Sequence, residues 1–115
     1  MDRVTATPPG ISLGPLAQIA NGAARNFVLE MRAGRFHGFV VRQGDMVRGY
    51  VDRCPHMGLP LTQVLDDYVH AGHIQCSWHG AVFAIDDGRC LGGPCQGAAL
   101  TLWPVEVRDD EIVTA

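Results

Sequence analysis

The chain has 115 residues and a mass of 12.4 kDa, room for one domain whose core can stand without staples. Hydrophobic residues make up 47 % and charged residues 18 %, which excludes a disordered tail, and the net charge of −3 leaves no electrostatic footprint for nucleic acid. Lysine is absent and the nine basic residues are scattered arginines, so there is no polybasic surface for RNA or a membrane.

Residues 4–24 carry no charge, long enough to raise the question of a membrane span. Pro8, Pro9, Pro15, Gly10, Gly14, Gln18 and Asn21 break the run, and no apolar block of signal-peptide length follows Arg3. The chain therefore reads as soluble and cytoplasmic, where four cysteines are expected as ligands or thiols rather than as a disulfide framework. Two apolar runs, 27–31 and 36–42, flank Arg32-Ala33-Gly34-Arg35 as the loop of a predicted hairpin, with His37 expected at the surface. A third strand is predicted over 46–51 after the Gln43-Gly44-Asp45 loop. Only 60–68 has helical character. At the far end 105–107 alternates, turns at Asp109-Asp110 and resumes at 112–113, the acidic run through Glu111 being a hairpin tip. Short strands at close spacing predict an all-β, antiparallel sandwich or small barrel, a single domain over 1–115. A loop-rich segment, about 53–95, is inserted in it, and a bound cofactor would account for so long a stretch of loops.

That segment holds two echoing turns, Cys54-Pro55-His56-Met57-Gly58 and Cys76-Ser77-Trp78-His79-Gly80. Each offers one thiolate and one imidazole, followed by glycine. Soft and borderline ligands suit zinc or iron–sulfur chemistry and suit calcium or magnesium poorly. Structural zinc sites usually pair cysteine with cysteine and histidine with histidine, whereas both pairs here are mixed. In a [2Fe–2S] cluster one cysteine from each turn can hold one iron, and one histidine from each turn the other.

With these residues the chain resembles the Rieske-type [2Fe–2S] proteins. The likeness lies in residues 54–61 and 74–83, continues into Asp87-Gly88-Arg89 and the Gly93-Pro94 loop, and extends more weakly to 102–105 and the closing hairpin. It implies that Cys54 and Cys76 bind the inner iron and that His56 and His79 bind the outer, solvent-facing iron. Ser77 departs from the commoner proline, which touches loop stiffness and not ligation. Neutral imidazoles in place of two thiolates raise the reduction potential, to roughly −150 to +300 mV for such centres. High-potential respiratory members place a serine two residues, and a tyrosine four residues, after the second histidine; here those positions are Ala81 and Phe83. Their inter-loop disulfide is also missing, the matching positions being Leu59 and Trp78. Both departures imply the low-potential branch, the soluble ferredoxins that serve ring-hydroxylating oxygenases.

The resemblance implies a one-electron carrier and not an enzyme, taking electrons from an NAD(P)H-dependent flavin reductase and passing them to a terminal oxygenase. Two alternatives remain: a small subunit of a larger reductase of the nitrite reductase type, and a zinc-stabilised binding module, which would be colourless. Trp78 reads equally as a cover over the cluster or as ordinary core packing, and Met57 as a shield or a gap-filler. Cys90 and Cys95 are expected as two thiols on the proline loop that closes over the cluster. His70 and His73, beside Asp66 and Asp67, hint at a second iron site but are expected as solvated loop residues.

Overall fold

The structure, a computed structural model, describes residues 3–53, 61, 66–76, 80–93 and 97–115. Twelve strands follow in chain order: β1 (Arg3–Val4), β2 (Ser12–Pro15), β3 (Ala24–Met31), β4 (Gly34–Gln43), β5 (Met46–Val51), β6 (Val69–His70), β7 (His73–Gln75), β8 (Val82–Phe83), β9 (Cys90–Gly92), β10 (Leu102–Trp103), β11 (Val105–Arg108) and β12 (Glu111–Thr114). A single turn of 3₁₀-helix, Leu16–Gln18, is the one helical element among the described residues. The expected all-β class holds. The predicted helical stretch at 60–68 falls mostly outside the described residues, and the part that is described is not helical.

Three sheets form. The largest has β4 at its centre, with β3 along one edge and both β1 and β5 along the other; β10 follows β5. Its β1–β4 pair is parallel, a departure from the all-antiparallel expectation, because the amino-terminal segment runs alongside β4 from outside the hairpin succession. The first hairpin is longer and tighter than predicted. β3 begins at Ala24, and only Arg32 and Ala33 form the turn, since Met31 pairs with Gly34. β5 occupies the span predicted for it. The β11–β12 hairpin turns on Asp109 and Asp110, both at positive φ (54° and 62°), the backbone of a tight two-residue hairpin turn.

β4 has both faces covered. Phe36 and Val40 join Leu13, Val47, Trp103 and Ile112 in a core shared with the β11–β12–β2 sheet. Phe39 and Val41 point the other way, into a second core with Tyr50, Leu61, Tyr68, Ile74, Cys76 and Phe83 on the side of the β6–β7–β8–β9 sheet. Alternation along the strand thus feeds two apolar layers, which is why this run reads as nearly continuous hydrophobic sequence. Gly38 leaves room for the indole of Trp103 and Gly49 for its backbone: a β-carbon on Gly38 would sit 2.8 Å from the ring, and one on Gly49 would sit 2.4 Å from the Trp103 carbonyl oxygen. The buried ring packs on Phe36 at 4.6 Å between centroids, and its Nε1 donates to Thr7 Oγ1 at 2.8 Å.

Thr114 ties the amino-terminal segment to β12. Its hydroxyl accepts from Ile11 N and donates to the Pro8 carbonyl, each at 2.8 Å. No helix among the described residues is long and apolar enough to cross a membrane.

Candidate metal centre

Of the four candidate ligands the structure describes Cys76. Cys54, His56 and His79 lie outside the described residues, as do Met57, Leu59, Ser77, Trp78, Pro94 and Cys95. What is described is the frame from which these side chains spring.

Cys76 directly follows β7. Its amide donates to the Ala81 carbonyl at 2.8 Å, and the Gly80 amide returns to the Cys76 carbonyl at 3.0 Å. These two bonds close the hairpin between β7 and β8, the stretch of sequence that includes His79. Gly80 sits at φ +70°, where a side chain would be strained. The Cys76 side chain is fully buried, is not disulfide-bonded, and shares its core with Leu61, Ile74, Ala81 and Phe83. A soft sulfur donor in dry, apolar surroundings suits the inner iron of a mixed-ligand cluster, so the residues present fit that group. Ala81 and Phe83 are both fully buried and carry no hydroxyl toward the site.

The other ligand segment, residues 54–60, springs from the end of β5. Asp52 N donates to the His37 carbonyl and Val51 N to the Thr101 carbonyl, each at 2.9 Å, which pins the exit from the sheet. Asp52 is 95 % removed from solvent, and its carboxylate partners among the described residues are donors. Oδ1 accepts from Leu61 N at 2.9 Å; Oδ2 accepts from Tyr68 Oη at 2.8 Å and from Asn26 Nδ2 at 3.2 Å. Asn26 Nδ2 also donates to Tyr68 Oη at 2.7 Å, and the Asn26 amide donates to Asp66 Oδ1 at 2.6 Å. The Tyr68 ring stacks on Phe39 with centroids 4.1 Å apart. Burial, and then the neighbouring Asp52 charge, push its phenol well above the usual tyrosine range. Sequence reasoning missed this network. The available signal was an acidic residue at the end of an apolar strand, two positions before a candidate ligand.

A third segment leaves β9 beside the hairpin that follows Cys76. Gly93, at φ +88°, approaches the backbone so closely that a β-carbon would lie 2.9 Å from Ala81 Cα and 3.2 Å from the Gly80 carbonyl oxygen. Cys90 departs from expectation: it is disulfide-bonded and not a thiol. Its amide donates to the Ala98 carbonyl at 3.2 Å, and Arg89 bridges Ala99, so the chain on either side of the proline loop is drawn together and a crosslink closes within reach.

The remaining histidines lie on strands. His70 and His73 face each other across the β6–β7 hairpin and are exposed, His70 Nε2 lying 3.2 Å from Asp67 Oδ1. Among the described residues no group of three or more His, Cys, Asp or Glu side chains is placed to hold a metal ion. His37 is half-buried on β4 and not fully at the surface as expected.

A family model for the Rieske [2Fe-2S] domain matches residues 13–108. Curated proteins yield no match. Among solved structures, the chain is similar to one in a complex of reduced oxygenase and oxidised ferredoxin of carbazole 1,9a-dioxygenase (25 % identity, TM-score 0.73, 91 % of each chain covered). It is also similar to the ferredoxin of carbazole 1,9a-dioxygenase from Nocardioides aromaticivorans IC177 (24 % identity, TM-score 0.71, 95 % of this chain and 98 % of that one). A third likeness is to the Sphingomonas yanoikuyae B1 ferredoxin (21 % identity, TM-score 0.68, 91 % and 96 % covered).

Proposed function

Because the chain belongs to the Rieske [2Fe-2S] domain family, we propose that it is a one-electron carrier that receives electrons from an NAD(P)H-dependent flavin reductase and delivers them to a terminal oxygenase. In this reading the thiolates of Cys54 and Cys76 hold the inner iron, and the imidazoles of His56 and His79 hold the outer one. The cluster, when bound, takes up and releases a single electron.

The chain's own residues do the rest. The β7–β8 hairpin holds Cys76 at its buried base, which supports a sulfur-ligated iron on the inner side in this reading. Leu61, Ala81 and Phe83 keep water from the sulfur side, and their lack of hydroxyl donors favours the low-potential branch. The oxygen chemistry belongs to the partner. Support for an oxygenase partner comes from the likeness to a chain of an oxygenase–ferredoxin complex over 91 % of both lengths.

The observation that carries the proposal is the family match over 13–108, which spans all four ligand positions, together with the buried thiol of Cys76. The test is anaerobic purification, iron and acid-labile sulfide analysis, and EPR after dithionite reduction. Two irons per chain and an average g value below that of all-cysteine [2Fe–2S] proteins are expected, both lost in Cys54→Ala and His79→Ala. Iron-free protein after reconstitution, or bound zinc, would overturn the reading. Electron delivery is tested with purified flavin reductase and oxygenase; turnover that runs equally well without this chain would remove the assigned partners.

A further inference from the structure

We propose that Asp52 is a positioning residue for the cluster, clasping the first ligand segment shut and holding a fixed negative charge against the site. The proposal rests on the reading that Cys54, His56, Cys76 and His79 hold the [2Fe–2S] group, and it assigns a role to a residue outside that set.

The geometry has two parts. Asp52 and Leu61 stand at the two ends of the segment that carries Cys54 and His56, and the 2.9 Å bond from Leu61 N to Asp52 Oδ1 joins those ends across its base. The second part reaches the other ligand segment. Tyr68 donates its phenol to Asp52 Oδ2, while its backbone carbonyl accepts from Gln75 N at 2.9 Å, one residue before Cys76. A continuous path of hydrogen bonds therefore links the base of one ligand segment to the base of the other through one carboxylate. A buried acceptor with three donors is costly to disturb, because each donor it releases is left without a partner.

The charge follows from the same placement. Asp52 is two residues from Cys54, so the Cα atoms are at most about 7.6 Å apart, and burial shields the carboxylate from salt. A reduced cluster carries one more negative charge than an oxidised one. A fixed carboxylate nearby therefore disfavours reduction and holds the potential down. Hydrogen bonds to that carboxylate temper its field.

Two substitutions separate this role from mere structural support. Asp52→Asn keeps the shape and the acceptor for Leu61 N; a flip of the Asn26 amide gives the new Nδ2 an acceptor. It removes the charge, so the midpoint potential by film voltammetry should rise while the EPR g values are kept. Tyr68→Phe keeps the charge but removes one donor to it, so the potential should fall. Both should release the cluster several-fold faster to a chelator than the parent protein. A loosened site open to water would move both potentials the same way, so shifts of one sign, or no shift with unchanged release, overturn the proposal. If Asp52→Asn does not fold, the direction of the Tyr68→Phe shift decides alone. Failure of the parent protein to load iron sinks the cluster reading itself and is seen before either variant is made.

Discussion

Gly93 and Ala81 are in backbone contact, with room for no β-carbon between them. The segment after β9 is thereby laid directly on the closing turn of the hairpin that carries Cys76 and His79. Gly93→Ala adds both a clash and a strained positive φ, at a cost of about 2 kcal/mol. A lower melting temperature is expected, with faster cluster loss than from Gly92→Ala, whose β-carbon would meet open space. Equal behaviour of the two variants in thermal melts would show that the contact is not tight.

The buried surroundings of Cys76 lack hydroxyl donors at Ala81 and Phe83. Hydrogen bonds to cluster sulfurs stabilise the added electron. The double variant Ala81→Ser with Phe83→Tyr should therefore raise the midpoint potential. Voltammetry on the loaded variant, with unchanged iron content, checks this; an unmoved potential would discount hydroxyl donors at these positions.

Cys90 forms a disulfide, and Cys76 does not. With Cys54 reserved for iron, the expected partner is Cys95, which a peptide map run without reductant should show. Replacing both by serine should leave the EPR spectrum intact and lower stability by about 2 kcal/mol, the scale of loop-closure entropy for so short a ring. A map linking Cys90 to Cys54 would instead remove a ligand from the proposed cluster.

Both tyrosines are buried, and desolvation pushes Tyr50 up to about 12 and Tyr68 further still. Unfolded tyrosine titrates near 10, so between about pH 10 and 12 the folded state holds protons that the unfolded state has released. Stability from these phenols is thus full below pH 10 and declines as pH climbs beyond it. NMR of ring-labelled tyrosine follows each phenol; a resonance titrating near pH 10 in the folded protein would contradict the burial.

Much of this architecture was legible in the residues. Alternation and turn glycines located the β3–β4 and β11–β12 hairpins and β5, because local chemistry decides those elements. The candidate donors stand out because Cys and His recur in echoing turns, though three of the four lie outside the described residues; β6 to β9, in a segment expected as loops, are too short to announce themselves by alternation. What escaped depends on contacts distant in sequence. The parallel placement of β1 on β4 is a pairing across about thirty residues that no local pattern announces. The Asp52 network joins residues 26, 52, 61 and 68, each unremarkable alone. The Cys90 crosslink escaped because compartment argues for thiols, while the isolated bridge between Arg89 and Ala99 draws the chain together.

With apolar strata on both sides, the sheet of β3, β4 and β5 is a partition between two interiors. Solvent that breaches the chamber holding Cys76 still meets a sealed one behind Phe36, Val40 and Trp103. Loss of the cluster is therefore expected to loosen the Cys76 side first and to leave the layer behind Phe36, Val40 and Trp103 packed.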